Sequence, residues 1–195
     1  MHVIAANQAR RVRWKNDGGW TTELARDPPQ GEPFNWRVSI AQIEQDGPFS
    51  SFPGIDRELL LLDGNGIELD IDDAPPLRLA QRFERVHFAG EARVRCRLLA
   101  GPTRDFNVMV DRSRLHAETL ARPLVGSMLI FAEPGTQWLI HVLSGHLGAK
   151  QDGRQVEVET GGSLRLDFRG GTNGRVALDG GGELLMVKFS EIAVP

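Results

Sequence analysis

The chain of 195 residues has one cysteine, Cys96, so it cannot form an internal disulfide, and a reducing compartment is expected. In "RVRCRLL" that thiol lies in a strand-like segment, where a small buried filler is the ordinary role rather than a free nucleophile. No run approaches the roughly 20 apolar residues that a membrane span needs. The first residues carry no apolar leader segment either, so a cytoplasmic protein with no membrane partner is expected. Basic excess is also missing. Lys and Arg number 23 against 26 Asp and Glu, for a net charge of −3, which argues against a nucleic-acid surface. The most basic run, "RRVRWK" (Arg10 to Lys15), is short and reads as a solvated strand edge. Helical periodicity is scarce: the one fair candidate is "SRLHAETL", with Ser113 as its cap.

What the sequence does contain is alternation. "FNWRVSIAQI" puts Trp36, Val38 and Ile40 on one face and Arg37, Ser39 and Ala41 on the other. "RELLLLDGNGIELDID" is a buried apolar run, a Gly-Asn-Gly turn and an alternating strand. Further short strand-like segments follow to "ELLMVKFS", punctuated by 22 Gly and 11 Pro. The pattern is that of an all-β sandwich or barrel.

Part of the pattern repeats. "FPGIDRELLLLDGNG" (Phe52 to Gly66) aligns with "EPGTQWLIHVLSGHL" (Glu133 to Leu147) at a constant offset of 81 positions, with Gly54 on Gly135 and Gly64 on Gly145. Each copy opens on a Pro-Gly turn, runs through an apolar strand and ends at a glycine hairpin, which points to a duplicated unit. The second copy, continued through "VETGGSLRLD", resembles a cupin half. The expected fold is therefore all-β and cupin-type: two antiparallel β-barrels from a duplicated unit, a bicupin. The halves are expected at 1–112 and 113–195, with the amino-terminal segment able to join the other half.

Metal-bearing cupins present a His-x-His pair, a later Glu and a third His. Here His141 and His146 stand five apart across a glycine turn, without strand parity to make them converge, and His2, His87 and His116 are scattered. The expectation is a barrel with no metal and no other cofactor.

Three stretches carry a more specific likeness: "WKNDGGWTTELA", "WRVSIAQIEQDGPFSSFPGIDRELLLLDGNG" and "RDFNVMVDR". In this order, along essentially the whole chain, they resemble the HutD/Ves family, a bicupin family associated with bacterial histidine utilisation. One departure is Asp17, which stands where the family pattern begins a glycine run. It either dampens a nearby anion pocket or simply sits in a turn where Asp is welcome. The resemblance implies a small-molecule-binding or regulatory protein. Its implied partner is a small organic carboxylate, such as N-formylglutamate, urocanate or a formate-like anion. A homodimer is a fair expectation for such a fold.

A carboxylate in a barrel needs a donor fork, and arginine supplies a planar one. Arg57, at the turn entering a strand, stands either at the pocket mouth or in a surface pair with Asp56 or Glu58. Lys15 and Asn16 offer a point charge and an amide, or else a solvated turn. Trp14, Trp36, Phe49 and Phe52 either wall the ligand or fill the core. Ser39, Asn107 and Met109 lie on strand faces as pocket groups or as core residues. Arg112 reads as an anchor for the connection between halves. The candidate site is thus Lys15, Asn16, Trp36, Ser39, Phe49, Phe52, Arg57, Asn107 and Met109. In "WKNDGGW", glycines would let the backbone approach a ligand, with the two tryptophans anchoring the loop.

Three function classes stay open. The first is a carboxylate binder that senses or modulates histidine catabolism. The second is a cofactor-independent isomerase, lyase or hydrolase, for which Asp17, Glu23, Asp56, Glu58 and Asp105 are available without telling spacing. The third is a structural or interaction protein.

Overall fold

Alternating side chains, interrupted by Gly, Pro and Asp, put nearly all of the chain into antiparallel strands in the computed structural model, which describes residues 1–171 and 174–192. In chain order these begin β1 (His2–Ile4), β2 (Arg10–Arg13), β3 (Gly19–Asp27), β4 (Trp36–Ile43) and β5 (Gly47–Pro48). They continue as β6 (Ile55–Gly64), β7 (Ile67–Ile71), β8 (Leu77–Leu79), β9 (Arg85–Ala89), β10 (Val94–Leu98) and β11 (Thr103–Asp111). The last five are β12 (Leu115–Phe131), β13 (Thr136–Gln151), β14 (Arg154–Glu159), β15 (Ser163–Asp167) and β16 (Arg175–Glu191). One 3-10 turn, Ala6–Gln8, is the only helical element among the described residues, and none is long and apolar enough to cross a membrane.

The segment expected to be helical belongs to β12. Leu115 and Thr119 are buried while His116, Glu118 and Leu120 are exposed, a period of two, and each pairs with β16. Ser113 caps no helix. Its N–H and its hydroxyl both donate to Asp111 Oδ1, at 2.9 and 2.6 Å, and close a tight turn.

Two compact units result: Arg10–Arg114, and Met1–Ala9 together with Leu115–Pro195. The first nine residues join the other half, the arrangement left open for the amino-terminal segment, because β1 pairs with β15 from His2↔Arg165 to Ile4↔Ser163. In the Arg10–Arg114 unit, a sheet in the order β2-β3-β4-β11-β6-β9 faces another in the order β5-β10-β7-β8. Ile43, Leu59, Leu61 and Phe88 of the first sheet pack with Ile67, Leu69, Val94 and Cys96 of the second. Cys96 is fully enclosed there, and burial pushes its thiol up to about 12, so it is a filler and not a nucleophile. The other unit is a single sheet, β1-β15-β13-β16-β12 with β14 on β13, curled around Ile140, Val142, Leu164, Phe168 and Leu184.

The duplication is visible in irregularities as well as in strands. Leu62 is an extra residue bulged out of β6 against β11, since Arg104 faces Asp63 while Asp105 faces Leu61. Leu143, which aligns with Leu62, is bulged out of β13 in the same way. The aligned turn glycines also share a left-handed backbone, φ 79° at Gly54 with 76° at Gly135, and 99° at Gly64 with 80° at Gly145.

Candidate functional site

Strand register in the Arg10–Arg114 unit builds the site in rungs. Arg26, Arg37, Met109, Arg57 and Phe88 lie side by side across β3, β4, β11, β6 and β9. The next rung inward is Glu23, Ser39, Asn107, Leu59 and Val86, and the third is Thr21, Ala41, Asp105 and Leu61. Parity alone would put Glu23 and Arg26 on opposite faces. A bulge at Leu24 in β3 restores Arg26 to the inner face beside Arg37.

The β3, β4 and β11 members of these rungs, with Arg57 of β6, line a cavity of about 720 Å³, the size of a small-molecule site. Six basic side chains face it against three acidic ones, in a protein of net charge −3. Three of the arginines are already engaged: Arg37 pairs with Glu23 at 2.8 Å, Arg26 with Glu32 at 3.1 Å and Arg13 with Glu44 at 2.6 Å.

Arg57 is different. It is only 7% exposed, and its guanidinium carbon lies 4.9 Å from the Phe88 ring, 5.3 Å from Phe49 and 5.7 Å from Phe52. Its one hydrogen bond is a long 3.5 Å contact to the Ser50 carbonyl, and its Nε has no partner. Burial lowers its pKa to about 10, with Asp105 opposing that shift and Arg37 adding to it, so it is a cation at neutral pH. Neither neighbour in sequence competes for it: Asp56 pairs with Arg112 at 2.8 Å and Glu58 with Arg85 at 3.2 Å, both on the outer face. Arg112 also holds Glu91 and the Ile55 carbonyl, a clamp within this unit.

Asp105 lies deeper, 1% exposed, and neither carboxylate oxygen has a partner. Burial pushes its carboxyl up to about 7, with Arg57 pulling the other way. Asn107, two residues along β11, likewise has a buried Oδ1 without a partner.

The β2–β3 hairpin borders the cavity. Trp14 donates Nε1–H to Thr21 Oγ1 at 2.8 Å and stands edge-on to Phe49, ring centroids 6.5 Å apart. Asn16 Oδ1 accepts from Gly18 N at 3.1 Å, so that side-chain oxygen stabilises the turn while Lys15 beside it is exposed. Asp17 takes a φ of 57°, the place a glycine would suit. Its side chain is 80% exposed against Arg13, which fits a turn residue better than a brake on the pocket. Gly19 must be glycine, since a Cβ there would meet the Gln42 carbonyl oxygen at 2.3 Å. Trp20 points away from the cavity and stacks on Arg11 and Arg13, at 4.6 and 4.9 Å.

Of the nine residues singled out from sequence, Lys15, Asn16, Ser39, Phe49, Phe52, Arg57, Asn107 and Met109 all line this cavity. Trp36 does not. It alternates with Arg37, so it falls on the opposite face with Val38, fully buried, and is a core residue. The sequence reading also left out Asp105, Arg37 and Arg26 as site residues. Parity with Asn107 and Ser39 would have found the first two, whereas the bulge at Leu24 concealed the third.

Among its described residues the second unit has no equivalent polar set. Leu61 faces Asp105 as Val142 faces Leu184, Leu59 faces Asn107 as Ile140 faces Met186, and Arg57 faces Met109 as Trp138 faces Lys188. Leu184, Met186, Ile140 and Val142 are core, with Trp138 packed against them. His141 turns to the other face, where Nδ1 lies 3.0 Å from Ser163 Oγ, and burial lowers its pKa to about 4. Among the described residues, no three His, Cys, Asp or Glu side chains come together as a metal site.

Antiparallel barrels of this topology place the protein in the cupin class. The Cupin 2 conserved barrel domain protein of Leptotrichia buccalis superposes with a TM-score of 0.55 at 13% identity, over 98% of this chain and 96% of that one, a likeness of fold alone. The family follows from closer matches: the HutD family model covers residues 6–186, and the chain belongs to that family. A 21.2 kDa Pseudomonas putida protein, described as uncharacterized and lying in the hutC 3′ region, is 35% identical over 158 residues, 80% of this chain and 81% of its own. HutD from Pseudomonas fluorescens SBW25, solved in a formate condition, has a TM-score of 0.80 at 29% identity, over 98% of this chain and 99% of that one.

Proposed function

We propose that the protein binds a small organic carboxylate in the cavity of the Arg10–Arg114 unit, and that this binding senses or modulates histidine catabolism. One observation carries the binding reading: Arg57, buried among three aromatic rings, turns a guanidinium with a free Nε–H toward a cavity in which basic groups outnumber acidic ones. A desolvated guanidinium gains most from a partner that brings charge and paired acceptors, as a carboxylate does. Trp14, Phe49 and Phe52 supply an apolar wall for the carbon skeleton. The hutC-region relative supports the metabolic setting. Urocanate and N-formylglutamate are the ligands to test first. A saturable rise in melting temperature with one of them, lost in Arg57→Ala at unchanged secondary structure, supports the reading. A rise that persists in Arg57→Ala removes Arg57 from the site.

Asp105 favours a second reading, a cofactor-independent enzyme acting on such a metabolite. A carboxyl near neutrality in a cavity is what general acid–base chemistry needs. Conversion of either compound followed by proton NMR, and abolished in Asp105→Asn, would put this reading first.

A further inference from the structure

An anion alone would leave the cavity only half satisfied. Arg57 asks for an acceptor, but three other buried atoms on the same wall, both Asp105 Oδ atoms and Asn107 Oδ1, are acceptors without donors. Arg57 does not supply them: no ion pair of 4.0 Å or less links Arg57 and Asp105, although each feels the other's charge. Asn16, at the mouth, has its oxygen committed to the Gly18 turn. A formate or a plain aromatic acid placed on Arg57 brings acceptors only, so Asp105 and Asn107 would stay buried and unpaired, a costly arrangement.

Given that Arg57 takes the carboxylate, the reading on which this inference rests, we propose that the ligand also carries an N–H or O–H donor that seats on Asp105 and Asn107. The substrate class is then a carboxylate with an amide, imidazole or similar donor on the same small frame. The register separates the two ends: Arg57 is on the outer rung, Asn107 on the next and Asp105 on the third. Residues two apart on a strand lie about 7 Å from each other, so donor and carboxylate belong at opposite ends of the molecule. Trp14 and Phe49, edge to face, line the same cavity. Specificity of this kind comes from acceptors that a poorer ligand leaves unpaired, and such sites discriminate strongly.

Acids of matched shape, one with the donor and one without it, provide the test. Urocanate is titrated calorimetrically against furylacrylate, in which a furan ring replaces the imidazole N–H. 4-Formamidobutanoate is titrated against its N-methyl derivative, in which a methyl replaces the amide hydrogen. In the wild type the donor-bearing member of at least one pair is expected to bind more than about tenfold tighter. In Asp105→Leu that ratio should fall toward one while both acids still bind, and Arg57→Ala should weaken both members alike. Equal affinities within both pairs, with binding dependent on Arg57, would overturn the donor requirement and leave the carboxylate reading standing. Tighter binding of the donor-less acid with proton uptake would also overturn it, since Asp105 would then be donating. No binding by any of the four would overturn both. If Asp105→Leu does not fold, the wild-type comparison still decides.

Discussion

Arg57 and Asp105 face one cavity from neighbouring strands and shift each other's ionisation without touching. The carboxyl, raised from 3.8 to about 7 by burial, keeps its proton in the native state long after the unfolded chain has released it. Between those two values the native state holds more protons, so this group makes stability fall as pH rises, with no further loss above about 7. Asp105→Asn should therefore stabilise the protein above neutrality, by on the order of a few kcal/mol at most, and show no gain below the unfolded pKa. Urea unfolding of both proteins across pH checks this; a gain that does not depend on pH would remove the charge as its cause.

His141 works in the opposite sense. Its pKa falls from 6.5 to about 4, so within that window the unfolded chain binds the extra proton and stability declines on acidification. His141→Gln should lose this slope. The urea midpoint measured through the window should be flatter than that of the wild type.

Gly19→Ala should loosen the hairpin that borders the cavity, since the new Cβ would press on the Gln42 carbonyl at 2.3 Å. We expect a loss of about 1–3 kcal/mol and faster amide exchange at Trp14 and Asp17, whose N–H groups close the turn. Exchange unchanged at both amides would show that the strands part elsewhere.

Trp36→Leu separates core from site. Its side chain is fully buried on the face away from the cavity, so stability should drop by about 2–4 kcal/mol while the Kd of any bound acid stays within about twofold. Phe52→Leu, beside Arg57, should do the reverse, with little change in stability and weaker binding.

Much of this was legible in the chain. Alternation announced the strands, and the Pro-Gly turns at Pro53 and Pro134 announced the duplication. Trp36 was the avoidable error, because its parity with Val38 already excluded it from the face of Ser39 and Arg37. Arg26 was not avoidable: a bulge changes parity without a sequence mark, and Leu24 looks like any strand leucine. "SRLHAETL" misled because its spacing satisfies a helix as well as a strand over eight residues, and only pairing with β16 decides between them. Asp105 was visible as a carboxylate, but its isolation from every donor depends on three strands that are distant in sequence.

The bulges at Leu62 and Leu143 show that both copies inherited the same scaffold, yet Trp138 stands where the other copy has Arg57. That exchange divides labour between the twins. One is filled with hydrocarbon, while the other keeps an ill-matched cation and acid inside it. A saturating titration should accordingly end at a single equivalent of guest per chain.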